Sequence, residues 1–173
     1  MRTIFKGAVY LFIFILALSA MLISCAKAVE TELFVHKSPD FTLTVPKWID
    51  QKSKNPNAVL LRVFKPGSAP TLEVTAADLP AGWTYKDSAP AFIKSLESQL
   101  KASDIKILYE REIKLKDGTP AYEYEVKWKY GMWPVRSYAV VVLKDKKKIW
   151  ACVSDVLWVG DNLKQYPLSL TLK

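Results

Sequence analysis

The chain has 173 residues, enough for one domain with a sizeable core. Half are apolar and 24% charged, which excludes an intrinsically disordered class. Of the 25 basic residues Arg2 and Lys6 lie in residues 1–24, which hold no acid, so 23 basic residues face 17 acidic ones beyond them. That surplus predicts only weak attraction to anionic surfaces, and the dispersed lysines match an ordinary solvated surface.

Arg2 and Lys6 precede an almost wholly apolar run at 8–23, AVYLFIFILALSAMLI. A basic start followed by an apolar stretch of about 15 residues is the build of an export signal. It is also close to the 17–20 or so residues that a bilayer-spanning helix needs. Three endings compete. LISC at 22–25 resembles the lipobox of bacterial lipoproteins, with Leu22 at −3, small Ser24 at −1 and Cys25 as the first mature residue. The resemblance implies cleavage between Ser24 and Cys25, a diacylglycerol on the Cys25 thiol and a further acyl chain on its amine. A thiolate suits the first step because it is the stronger nucleophile. Alternatively, Ala26-Lys27-Ala28 is an A-x-A site that releases a soluble product, or the run stays uncut as an anchor. The lipobox is the reading adopted. Two or more acyl chains hold a protein firmly, at about 0.8 kcal/mol per buried methylene. Ala26 rather than an acid follows Cys25, and the sorting rule of many Gram-negative lipoproteins then implies the outer membrane, facing the periplasm.

Residues 25–32 lack apolar periodicity and read as a tether, reaching at most about 25 Å. A single domain is expected over 33–173. In DFTLTVP, Phe41, Leu43 and Val45 alternate with threonines as in a half-buried strand, and Pro46 ends it. Trp48 and Ile49 are expected to fold under the sheet. AVLLRVFK (58–65) and TLEVTAADL (71–79) are further strands, parted by Pro66-Gly67. DSAPAFIKSLESQLKAS is the best helix, with Asp87 or Ser88 as cap and Pro90 in its first turn. Its stripe of Phe92, Ile93, Leu96 and Leu100 is expected to pack on a sheet face, the alternative being a membrane-surface helix.

IKILYEREIKL then leads to Asp117-Gly118, a tight-turn pair. In AYEYEVKWKY, Tyr122, Tyr124, Val126, Trp128 and Tyr130 alternate with Glu123, Glu125, Lys127 and Lys129, so one face is apolar and the other charged. VRSYAVVVLK is apolar without alternation from Ala139 to Leu143, as in a central strand covered on both faces. KDKKK (144–148) turns the chain into IWACVSDVL, the last strand expected, and the tail holds a short helix interrupted near Pro167. The pattern predicts an α+β domain with a mostly antiparallel sheet flanked by helices.

Phe41, Leu43, Val45, Pro46 and Trp48, a helix after several strands, and DGTPAYEYEVKW (117–128) together resemble the PsbP-like superfamily over about residues 33–173. Its founding member is an extrinsic subunit of the oxygen-evolving photosystem, and its relatives include many bacterial lipoproteins. The resemblance implies an antiparallel sheet sandwiched between helices and, usually, no enzymatic activity. The photosynthetic members dock on a membrane complex, but no docking residue of theirs is recognisable here.

The inventory for catalysis is thin. His36 is the one histidine, read as a solvated strand-end residue, and that rules out zinc sites built on two or three histidines. No nucleophile elbow, C-x-x-C, phosphate loop or dinucleotide fingerprint appears, and no cofactor or metal is implied. With Cys25 acylated, Cys152 has no intramolecular partner and reads as a small buried hydrophobe. Glu110, Glu112, Glu123 and Glu125 could align as paired carboxylates for glycosidase chemistry or a hard cation. Their basic neighbours Arg111, Lys114, Lys127 and Lys129 instead suggest cross-strand ion pairs on a solvated face.

Binding is more open. KYGMWPVR (129–136) puts Met132 and Trp133 at a strand connection flanked by Arg136, where they either plug the sheet end or present a contact to a partner or bilayer. Trp83 and Tyr85 pose the same choice. Lys146 and Lys147 in the 144–148 turn are either solvated or contact anionic headgroups. Nucleic acid is set aside, since an exported protein has little access to it. The reading is a monomeric, lipid-anchored, non-catalytic domain docking on an envelope partner. A carrier of apolar or lipid cargo between sheet and helix is the alternative, and a hydrolase with an unrecognised site a third.

Overall fold

The computed structural model describes residues 29–156 and 158–173. The signal, cleavage and lipidation expectations at Ser24 and Cys25 lie outside them. Residues Thr31–Lys173 form one compact unit of two antiparallel sheets and two helices.

A small sheet pairs β1 (Thr31–Lys37) and β10 (Thr171–Leu172) with a central β2 (Asp40–Pro46). The large sheet has seven strands in the order β3-β4-β5-β9-β8-β7-β6. They are β3 (Ile49–Asp50), β4 (Ala58–Val63), β5 (Thr71–Asp78), β6 (Ser103–Lys114), β7 (Pro120–Tyr130), β8 (Trp133–Lys144) and β9 (Lys147–Val156). Helix α1 (Ser88–Leu100) covers one face of the large sheet; α2 (Asp161–Leu168) and the small sheet cover the other.

Period-two alternation divides the core. On β2, Phe41, Leu43 and Val45 point inward and meet Leu72 and Val74 of β5, Tyr138 and Val140 of β8, and Leu163 and Tyr166 of α2. On β7, Tyr122, Tyr124, Val126 and Trp128 point the other way, toward Ala89, Phe92 and Leu96 of α1. Burying one such aliphatic side chain contributes about 1.5–3 kcal/mol, so both layers add substantially to stability. Strand β8 is buried on both faces from Ser137 to Val142, as its unbroken apolar run predicts.

The turns follow their residues. Gly131 at φ +58° takes the first central position of the two-residue β7–β8 turn, which requires a positive φ and leaves Met132 at the apex. Asp145 and Lys146, at φ 49° and 61°, make the β8–β9 turn inside the basic run. Lys101 at φ 53° stops α1 as a left-handed cap, its N–H reaching the Leu96 carbonyl.

Several local expectations are corrected. Strand β1 begins at Thr31, inside the segment read as tether. His36 does lie at the end of β1, but it is half-buried, stacked 5.0 Å from Phe41 with Nδ1 2.9 Å from the Pro39 carbonyl. Trp48 does tuck in, edge-on to Tyr166, whereas Ile49 is exposed and pairs with Val63 in the edge strand β3. Pro167 sits in the last turn of α2, and the chain continues into β10.

Candidate binding groove

Strands β4, β5, β9 and β8 carry a second row of side chains on the α1 face, beyond what the helix covers. Leu61, Val63, Thr71, Cys152, Ser154, Val156 and Val135 form the floor of an open groove of about 820 Å³. Phe92, Leu96 and Leu100 of α1 form one wall, and Trp128, Tyr130 and Trp133 of the β7–β8 hairpin another. Such a volume lies within the usual small-ligand range of about 300–1,000 Å³. Of the polar groups in the floor, Ser154 Oγ lies 2.8 Å from Ser137 Oγ, which accepts from Trp128 Nε1 at 2.9 Å, and Glu73 accepts from Ser53 at 2.8 Å. Burial pushes the Cys152 thiol above its ordinary value, so it behaves as floor rather than nucleophile.

The hairpin tip is exposed rather than tucked: Met132 shows 84% and Trp133 63% of its surface, and Tyr130 stands beside them. Leu100, expected against the sheet, is 43% exposed at the opposite lip. The α1 stripe therefore seals the sheet only through Ala89, Phe92 and Leu96, and its last turn leaves the groove open.

The basic residues read with the tip have other partners. Arg136 alternates to the opposite face from Val135 and donates to Glu125 at 3.1 Å. Lys129 pairs with Asp104 at 2.6 Å, and Lys147 with Asp78 at 2.5 Å. Lys146 is exposed in its turn. Trp83 is partly covered, with the Lys148 ammonium 4.4 Å above its ring, and Tyr85 stacks on Tyr122 at 5.9 Å.

The solvated-face reading of the β7 carboxylates is overturned: Glu123 and Glu125 are 4% and 3% exposed. A bulge in β6 between Ile107 and Tyr109 moves Tyr109 and Arg111 onto the α2 face, opposite Glu125 and Glu123, while Glu110 and Glu112 face outward on the other side. Every oxygen of the two buried carboxylates is engaged. Arg111 reaches Glu123 Oε1 at 2.5 Å and the Tyr138 phenol donates to Oε2; Arg136 holds Glu125 Oε1 and Lys164 of α2 holds Oε2 at 2.7 Å. Burial, with Glu123 beside it, pushes the Tyr138 phenol far above its ordinary value. Burial opposes the Lys164 charge, but Glu125 and Tyr109 outweigh it and hold the ammonium above the usual lysine value. These carboxylates brace α2 against the sheet. They present no free pair to a sugar or cation, and no cluster of metal-ligating residues occurs among the described residues. No helix of the described residues is long and apolar enough to cross a membrane.

No family model matches the sequence, and no curated protein matches it. Solved structures do. The solution structure of CyanoP, the cyanobacterial PsbP of Synechocystis sp. PCC 6803, superposes with a TM-score of 0.68 at 16% identity, covering 87% of this chain and 96% of that one. The Ran-binding protein Mog1p of Saccharomyces cerevisiae superposes at 0.58 with 11% identity, covering 83% and 96%. The chain thus has a PsbP-like α+β fold, mostly antiparallel and flanked by two helices.

Proposed function

We propose that this is a non-catalytic binding domain, held at an envelope membrane by lipid on Cys25, which docks on an envelope protein through the Met132–Trp133 tip. One observation carries this reading. The tip leaves two large apolar side chains in water, at the mouth of a groove whose walls are also apolar. Exposed apolar surface of this kind marks interaction sites, and tryptophan is prominent among residues that dominate interface energies. The same fold occurs in a protein that binds Ran, which supports its use as a docking scaffold. The test is crosslinking of the anchored protein in its own membranes beside a Trp133→Ala variant. Docking through the tip predicts loss of the partner adduct in the variant; an unchanged adduct rejects it.

A second reading, transport or storage of an apolar ligand, is favoured by the groove itself. An interface that needs only a protruding tip does not call for an apolar trough of about 820 Å³ behind it.

A further inference from the structure

At the α1 N-terminal end of the groove lies a smaller, polar space of about 140 Å³, lined by Asn55, Thr75, Ser88 and Lys148 among others. Phe92 and Trp150, with ring centroids 5.4 Å apart, wall both spaces. The two long walls change character in the same direction. Along α1 they run from Ser88 to Leu100, and along β9 from Lys148 through Trp150 to Val156, polar at one end and apolar at the other. Each strand residue advances about 3.3 Å, so the β9 wall alone spans about 26 Å.

At the polar end a buried hydroxyl lacks what burial normally demands, and among the described residues the half-buried cation beside it has no anionic partner. The Ser88 hydroxyl has no hydrogen-bond partner, although Ser88 is 4% exposed and lines the space. A buried hydroxyl left unpaired is costly, and each such group calls for an explanation. Lys148 has no carboxylate within ion-pair distance among the described residues; its ammonium rests on the Trp83 face. Partial burial holds that ammonium below the usual lysine value, as for a charge that has lost some of its water and gained no anion. Lys147, next in the chain, has Asp78, so the deficit belongs to the inward-facing lysine.

Resting on the apolar-ligand reading of the groove, we infer that the site takes a free single-chain amphiphile with an anionic head, of the fatty-acid class. Its carboxylate sits between Lys148 Nζ and Ser88 Oγ, and its chain passes over the solvent-side edges of the contacting Phe92–Trp150 rings into the groove toward Trp133. Charge complementarity selects the head: the polar end offers a cation and a donor and is lined by no acid, while Glu73 lines the groove beyond it and accepts from Ser53 at 2.8 Å. The chain needs no specific partner, since the floor and walls supply apolar surface.

The test uses full-length protein in membranes, a photoactivatable hexadecanoate analogue, and mass-spectrometric mapping of the labelled peptides. Label is expected on α1 and β8–β9, displaced by hexadecanoate and not by its methyl ester. Removing a charge-assisted hydrogen bond weakens binding by roughly tenfold or more, so Lys148→Met should need about that much more probe. Ser88→Ala should also weaken labelling while raising the melting temperature of the unliganded protein, because it removes an unsatisfied buried hydroxyl. That pair of opposite effects separates ligand contact from a folding defect. If the methyl ester competes equally and both variants label normally, the head site is wrong although the groove stands. If anionic phosphatidylglycerol bilayers displace the probe as well as the free acid does, the ligand is a bilayer lipid and the proposal fails. If no label reaches the groove, the apolar-ligand reading falls with it.

Discussion

Lys164 of α2 and Glu125 of β7 meet at 2.7 Å beneath the sheet, and this pair fastens the second helix to a strand 39 positions earlier. Arg136 occupies the other oxygen of the same carboxylate. Removing one member of a buried pair strands the rest, at a cost of about 3–5 kcal/mol. Glu125→Ala is expected near the low end of that range, because Arg136 and Lys164 keep some contact with water. Urea titration of the variant, with the denaturant slope unchanged, measures it. A loss below about 0.5 kcal/mol, the level of an ordinary surface substitution, would mean the cluster adds nothing to stability.

The same cluster predicts an alkaline limit. Lys164 is held above the usual lysine value in the folded state, so its contribution is complete below the unfolded value and disappears as pH rises through the folded one. Burial also raises the phenols of Tyr109, Tyr138 and Tyr124, and it pushes Tyr122 up to about 12 with Glu110 adding to the effect. An unfolded tyrosine ionises near pH 10 or so while these folded ones stay neutral, so the unfolded state gains on the folded one. Lys148, held low by burial, works the other way but is a single group. Burial raises the Cys152 thiol as well, so melting temperature should be flat near neutral pH, begin to fall above about 8.5 as the unfolded thiol ionises, and fall steeply above about 10. A curve still flat at pH 11 contradicts this.

Two tryptophans on one hairpin should behave oppositely. Trp128→Ala removes a buried side chain and its bond to Ser137, for a loss of about 3–5 kcal/mol. Trp133→Ala should change stability by less than about 0.5 kcal/mol, because the ring lies mostly in water. Thermal melts of the two variants side by side give the contrast.

Thiol counting addresses the N-terminus. Cys152 is buried, free and poorly ionised. A mature chain acylated at Cys25 should show no reactive thiol when folded and one when unfolded in denaturant. Two thiols after unfolding mean that the Cys25 sulfur carries no lipid.

Strands were legible in the sequence wherever alternation coincided with burial. The β7 pattern from Tyr122 to Trp128 sits where its period places it, and Ala139–Leu143 is the central strand its apolar run implies. Alternation, however, says only that two faces differ. It cannot say that α2 brings Lys164 over the charged face, nor that a bulge in β6 swaps which residues oppose Glu123 and Glu125. The groove was hidden for a related reason. Phe92, Leu96 and Leu100 share one helical stripe, but how far a sheet extends under a helix depends on strand order, and β9 beside β5 is a long-range pairing. Strand β1 escaped notice because Leu33 and Val35 face outward on an edge strand, which blurs its apolar pattern.

A photo-crosslinking amino acid at position 133, with a matched one at exposed Lys116, tests the central claim most directly. Lys116 lies beyond the far end of β7, about 33 Å along the strand from the tip. In intact membranes, docking through the tip predicts a discrete protein adduct from position 133 and none from position 116. Equal adducts from both positions, or none from 133, contradict it.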